Sequence, residues 1–232
     1  MARPKSDILG AKFEEAIAWH IARTPITDDE LAAIREDAKK HAFWISNVAQ
    51  LGLVQDVFDE ITRSIELGIP YDEFAARVED KLYEAWGGEM PYRVRLIWFM
   101  AVQTAYNAGR WHQMEQPDMM QSRPYRMYDA VLDDRTSVYC KIRDGIVRKS
   151  DDPWWDSNWP PLHYNCRSSV RPLTKKQAKR RGIGHWPTRP DPQPGFGDSP
   201  RKSNFADWKP SPDKYDPASF RELINKAEIS GI

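Results

Sequence analysis

The 232-residue chain carries 34 basic and 34 acidic residues, for a formal net charge of zero; 41% of it is hydrophobic and 12% aromatic, with ten tryptophans. That composition excludes a chain disordered throughout, supplies a sizeable core, and removes any global attraction to nucleic acid. No run approaches the roughly 20 apolar residues that a bilayer span needs, and Met1 to Asp7 lacks the apolar centre of a signal peptide. The expectation is a protein kept in a reducing cytoplasm, where Cys140 and Cys166 are too few for a disulfide framework and stay as thiols or go to a metal.

Charge is unevenly placed, with acidic residues in excess from Ile26 to Met90 and basic ones from His163 to Lys202. Thr27-Asp28-Asp29-Glu30 reads as a capping box, because the Thr27 hydroxyl can accept from the Glu30 amide while the Glu30 carboxylate reaches back. Leu31, Ile34, Ala38, Ala42 and Ile45 follow at helical spacing. The pattern runs on through Val54, Val57, Phe58, Ile61 and Ile65 to Gly68-Ile69-Pro70, with Gly52 as the point that breaks it in two. Phe74, Val78, Leu82 and Ala85 stripe a second helix from Tyr71 to Trp86, stopped by Gly87-Gly88. A third begins at Pro91, a first-turn residue, and Val94, Ile97, Trp98, Ala101, Ala105, Ala108 and Trp111 carry it towards Gln116.

After Pro117 the period shortens. Tyr125 to Leu132 reads as a strand, Asp144-Gly145 ahead of Ile146-Val147 has hairpin-turn chemistry, and Cys166 to Leu173 forms another strand. Asp133 or Asp134 is placed to cap a brief helix from Arg135 to Ile142. Thr174 to Arg181 makes a basic helical turn or two, and beyond Gly182 proline, glycine and serine describe an extended arm, closed by a short helix from Phe220 to Ile229. The predicted class is α+β: a helical bundle over 1–116, a small α+β core with short antiparallel strands over 117–182, and an extended Pro-rich C-terminal arm over 183–232.

Asp134-Arg135-Thr136-Ser137-Val138-Tyr139-Cys140, then Asp144-Gly145, then Trp159-Pro160-Pro161-Leu162-His163-Tyr164-Asn165-Cys166-Arg167-Ser168 form an ordered set of rare residues. The set resembles the Mu F-like head morphogenesis family, minor head or minor capsid proteins of tailed phages. That family carries an Asp-Arg-Thr-Ser with a Cys a few residues on, a Gly-containing turn and a Pro-Pro-x-His-x-x-Cys-Arg ending. Gln103-Thr104-Ala105-Tyr106-Asn107-Ala108-Gly109-Arg110 resembles its preceding helix, so the motif helix of the core begins near residue 100, and the likeness covers roughly 100 to 173. The chain departs at Tyr164-Asn165, where the family has Pro-Asn, and at Ser168, where a second Cys is frequent. The resemblance implies a virion-head component assembled in the host bacterial cytoplasm beside the portal, with portal, major capsid or scaffold proteins and packaged DNA as partners, no membrane, and an influence on DNA packaging or ejection.

Cys140, His163 and Cys166 are soft or borderline ligands, and the short spacing of the last two lets both meet one zinc ion. A structural site wants a fourth ligand, for which Asp134, Asp133, Asp144 and His185 are candidates and Asp134 is favoured. The competing reading makes the cysteines small buried apolar residues and His163 a hydrogen-bonded core imidazole. Arg135 and Arg167 flank the set and suit structural ion pairs with Asp133 or Asp134 rather than an anion site. Trp154, Trp155 and Trp159 lie in one loop; one is expected in the core and at least one on a partner surface. Lys175, Lys176, Lys179, Arg180 and Arg181 are either a solvated face or contacts to DNA phosphates.

The Pro-Cys-x-x-Cys of zinc deaminases, the phosphate-binding Gly-x-x-x-x-Gly-Lys loop and His-Glu-x-x-His are all absent from the sequence. Cys140 with His163 has the composition of a nucleophile and base, but metal ligation competes for the same atoms. The expectation is therefore not an enzyme; the alternatives are a zinc-assisted nuclease, which lacks a second acidic or His cluster, and a DNA-binding accessory protein.

Overall fold

In a computed structural model the described residues are 13–33, 39, 42–184 and 190–200. The first element is a helix that the periodicity does not reveal, α1 (Glu14–Ile21), which buries Ala16 and His20. His20 stacks on Phe58 with ring centroids 4.4 Å apart, and burial, seconded by Arg23, lowers its pKa to about 3, so it sits in the core as a neutral imidazole. Strand β1 (Thr24–Pro25) pairs in parallel with β2 (Ala42–Phe43), and α2 (Asp28–Ala33) lies between them. The capping box at Thr27 is formed: the Thr27 amide donates to Glu30 Oε2 at 2.8 Å, and the Glu30 amide to Thr27 Oγ1 at 3.4 Å.

The long helix expected through Ile45 towards Ile65 is interrupted earlier than predicted. Ala42–Phe43 is strand, and Asn47 takes a left-handed φ of 57° while its amide donates to Asp28 Oδ2 at 2.7 Å. A turn held by the distant Asp28 carboxylate thus replaces helix, and Gly52 falls inside the first turn of α3 (Leu51–Leu67) instead of marking the break. Ile34 and Ala38 of the predicted stripe lie outside the described residues.

Helix α3 ends at left-handed Gly68, α4 (Tyr71–Trp86) follows, and α5 (Pro91–Glu115) begins at its proline. Their inward faces make one core from Val54, Val57, Phe58 and Ile61 of α3, Phe74, Val78 and Leu82 of α4, and Val94 and Ala105 of α5, closed by Ala16 of α1. A short α6 (Pro117–Ser122) leads into β3 (Tyr125–Asp129), the centre of a three-stranded antiparallel sheet between β4 (Val147–Lys149) and β5 (Ser169–Leu173). Asp144-Gly145 does form a turn, with Gly145 at φ 75° and its amide donating to Tyr128 O at 2.9 Å, but it leads out of a short helix into β4 and is not the tight link of a hairpin. β3 stops at Asp129 because the next amide, on Ala130, donates to Asp144 Oδ1 at 2.9 Å and leaves the ladder.

The brief helix α7 (Val138–Lys141) is capped by Ser137, not by Asp133 or Asp134, and is shorter than predicted. A single 3-10 turn covers Pro153–Asp156, and α8 (Lys175–Arg181) opens with a capping box between Thr174 and Gln177. A second core gathers Trp111 and Met114 of α5 with Tyr128, Trp155, Trp159, Leu162 and Val170. Within it Arg126 is fully buried, its guanidinium over Trp111 and Trp159 and ion-paired with Glu115. In place of a free arm, residues 190–200 fold back: Gln193 N donates to Leu162 O and Gly197 N to Pro161 O, both at 3.0 Å. The helix expected from Phe220 to Ile229 lies outside the described residues.

One glycine sets how closely α1 approaches α5. A Cβ built at Gly109 would lie 2.7 Å from the Ala16 amide nitrogen and 2.8 Å from Phe13 Cζ. Backbone cannot yield as a flexible side-chain tip does, so Gly109→Ala should cost about 1–3 kcal/mol by forcing the helices apart. Urea denaturation measures this; an unchanged midpoint would mean that α1 does not pack on this face.

Candidate metal centre

Cys140, His163 and Cys166 come from two segments, α7 and the loop before β5, and the fold brings one ligand atom of each within 4.8 Å of the others. Cys140 Sγ lies 3.1 Å from His163 Nε2 and 3.6 Å from Cys166 Sγ. Both thiols are buried and His163 is half-buried. With zinc–sulfur bonds near 2.3 Å and zinc–nitrogen bonds near 2.0 Å, tetrahedral ligands stand about 3.5–3.7 Å apart, so the two spacings around Cys140 need shifts of only a few tenths of an ångström.

The surroundings orient these groups. His163 Nδ1–H donates to Tyr164 O at 2.6 Å, which leaves Nε2 facing the sulfurs, and Tyr139 stacks on the ring at 5.7 Å. Asn165 turns the chain between the two ligands with a left-handed φ of 60°. Tyr128 Oη stands 3.4 Å from Cys140 Sγ, and burial, reinforced by the thiols, raises the Tyr128 pKa well above its usual value. The hydrogen bond with Cys166, then those with His163, Ser168 and Tyr128, lowers the Cys140 thiol below its ordinary range. The same bond and burial raise Cys166, so the shared proton stays there, while the bond to Cys140 raises His163.

A further group was not among the predicted ligands. Ser137 Oγ lies 2.6 Å from His163 Nε2 and accepts from the Cys140 amide at 3.4 Å, so one hydroxyl both caps α7 and touches the cluster. Serine before a short helix is a capping signal, but its approach to His163 depends on a loop 26 residues away. Buried Ser168 also bonds to Cys140, and its carbonyl accepts from Gln103 Nε2 at 2.9 Å and Asn107 Nδ2 at 3.3 Å, tying the loop to α5.

The structure corrects the favoured fourth ligand. Asp134 is exposed and outside the cluster. Asp133 is occupied by Arg167 in a two-pronged pair, Nη1 to Oδ2 at 2.7 Å and Nη2 to Oδ1 at 2.5 Å, which lowers its pKa. Asp144 holds the Ala130 amide, and His185 lies outside the described residues. The exposed Arg135 guanidinium stands 3.9 Å from Asp133, so the ion pair that fixes the loop is Arg167 with Asp133. A second correction concerns the tryptophans. Trp155 and Trp159 are buried, donating to Lys149 O at 2.9 Å and Asn107 O at 3.1 Å, because each indole N–H finds a carbonyl inside the fold; they offer no partner surface. Trp154 is half-buried, its ring edge-on to Trp155 at 4.8 Å. Lys175, Lys176, Lys179, Arg180 and Arg181 are all exposed on α8, while Ala178 anchors the helix to the sheet.

The fold and the cluster together define a helical scaffold carrying a buried cysteine–histidine cluster between α7 and the loop before β5. The chain belongs to the family described as Phage Mu protein F like protein, whose profile matches residues 55–171. It is 28% identical over 164 residues to the putative capsid assembly protein F of Escherichia phage Mu, covering 63% of this chain and 37% of that protein. It is likewise 28% identical over 162 residues to the Mu-like prophage FluMu F protein of Haemophilus influenzae, covering 64% and 38% respectively. The chain thus spans little more than a third of the length of these curated relatives. No solved structure matches it.

If the cluster holds zinc, the reduced chain supplied with the metal should take up one equivalent, and Cys166→Ser should weaken the affinity by more than about tenfold. Elemental analysis after dialysis measures this, and uptake below about a tenth of an equivalent would exclude the site.

Proposed function

We propose that this chain acts in phage head assembly, as a minor head protein seated beside the portal and facing the procapsid interior, where it affects packaging or ejection of DNA. The carrying observation is the family match over residues 55–171, with a relative named for capsid assembly. The site supports a structural role: the thiols are buried, and His163, Ser137 and Tyr128 are engaged in holding them. Zinc at Cys140, His163 and Cys166 would supply a crosslink between α7 and the loop before β5. Among the described residues no helix is long and apolar enough to cross a membrane.

The acidic stretch of α3 and α4 gives a docking face, since Asp59, Glu66, Asp72, Glu79 and Glu84 lie on exposed or half-buried turns. A second reading, contact with packaged DNA, is favoured by the five exposed cations of α8, none of which has an ion-pair partner among the described residues.

Capture experiments with the purified full chain against the portal and major capsid proteins encoded beside it should recover the portal specifically. Failure to bind either protein, with metal-dependent cleavage of DNA instead, would replace the assembly reading with a nuclease.

A further inference from the structure

We infer that Cys140 and Cys166 are an oxidative modification site: when no metal occupies the cluster and a disulfide oxidant is present, they close into an intramolecular disulfide. The inference uses the same site as the metal proposal but does not depend on its occupancy. Their sulfurs stand 3.6 Å apart, which is van der Waals contact, so no atom has to leave the space between them. A disulfide bond is about 2.05 Å long, so the two side chains have to close about 1.5 Å between them. The chain has only these two cysteines, and no other thiol competes for either. Both thiols are buried, but the neighbouring His163 is half-buried and Tyr164 exposed, which puts the edge of the cluster at the surface where a small reagent arrives.

The chemistry is thiol–disulfide exchange with a low-molecular-weight disulfide such as oxidised glutathione. One protein sulfur, as thiolate, attacks a glutathione sulfur; the glutathione S–S bond breaks and one glutathione thiolate leaves. The second protein sulfur gives its proton to solvent and attacks the mixed disulfide, releasing the other glutathione. Two protein thiols are oxidised to one disulfide, and one glutathione disulfide is reduced to two thiols. A disulfide sulfur is no longer a thiolate ligand, so ion and covalent bond exclude each other, and either one joins α7 to the loop before β5. His163, whose Nε2 is 3.1 Å from Cys140, loses that partner in the oxidised form.

The test uses the full chain in two native samples, one stripped with a chelator and one supplied with zinc, each incubated with oxidised glutathione. Each is then denatured in an alkylating reagent and read by intact mass and a non-reducing gel. The stripped sample should become a monomer that has lost two hydrogens and takes up no alkyl group, and dithiothreitol should restore both sites. The zinc-supplied sample should alkylate at both cysteines. A stripped sample that keeps both thiols, retains a glutathione adduct, or crosslinks two chains overturns the inference. Internal oxidation in a chain that takes up no zinc would leave the inference standing and remove the metal proposal; zinc uptake without oxidation of the stripped form would do the reverse.

Discussion

Everything distinctive in this fold hangs on one stretch of α5, from Gln103 to Trp111. Its Gly109 admits the backbone of α1, its Asn107 carbonyl accepts from Trp159, and Gln103 and Asn107 hold the carbonyl of Ser168. Trp111 stands edge-on to Trp159 at 4.6 Å and carries the Arg126 guanidinium at 4.4 Å. A regular helix is stiff over such a length, so these attachments are fixed relative to one another, and the loop bearing His163 and Cys166 inherits that rigidity. The helical bundle is therefore less a separate unit than the mounting for the clasp.

The clasp itself is built from groups that would be costly to bury singly. Two thiols and an imidazole share protons through short contacts, with Tyr128, Ser137 and Ser168 satisfying what remains. Around it, Arg167 and Asp133 pin the outer rim, while residues 190–200 lie back across the Pro160-Pro161 segment. Such an arrangement resists displacement of the loop. The cations of α8 lie apart from it, on a helix whose Ala178 packs against the sheet, which separates a fixed interior from an electrostatically open exterior.

Much of this was legible in the residues. The third and fourth helices announce themselves because apolar spacing agrees with their terminators at Gly68 and Gly87, and the fifth because Pro91 fits a first turn. Asp144-Gly145 specifies its turn locally. Cys140, His163 and Cys166 could be grouped because soft ligands are rare and chemically narrow. What escaped depends on distant partners. Asn47 breaks a helical pattern by bonding to Asp28, and Ser137 meets His163 across the motif. Trp155 and Trp159 looked too numerous for a core, yet backbone carbonyls of Lys149 and Asn107 give their indoles a reason to be inside.

We propose that three side chains from α7 and the following loop ligate one ion. X-ray absorption at the zinc edge of the zinc-supplied full chain tests it most directly. The account predicts a first shell with two sulfurs at about 2.3 Å and imidazole nitrogen at about 2.0 Å. A shell of oxygen and nitrogen alone, with no sulfur, would contradict it.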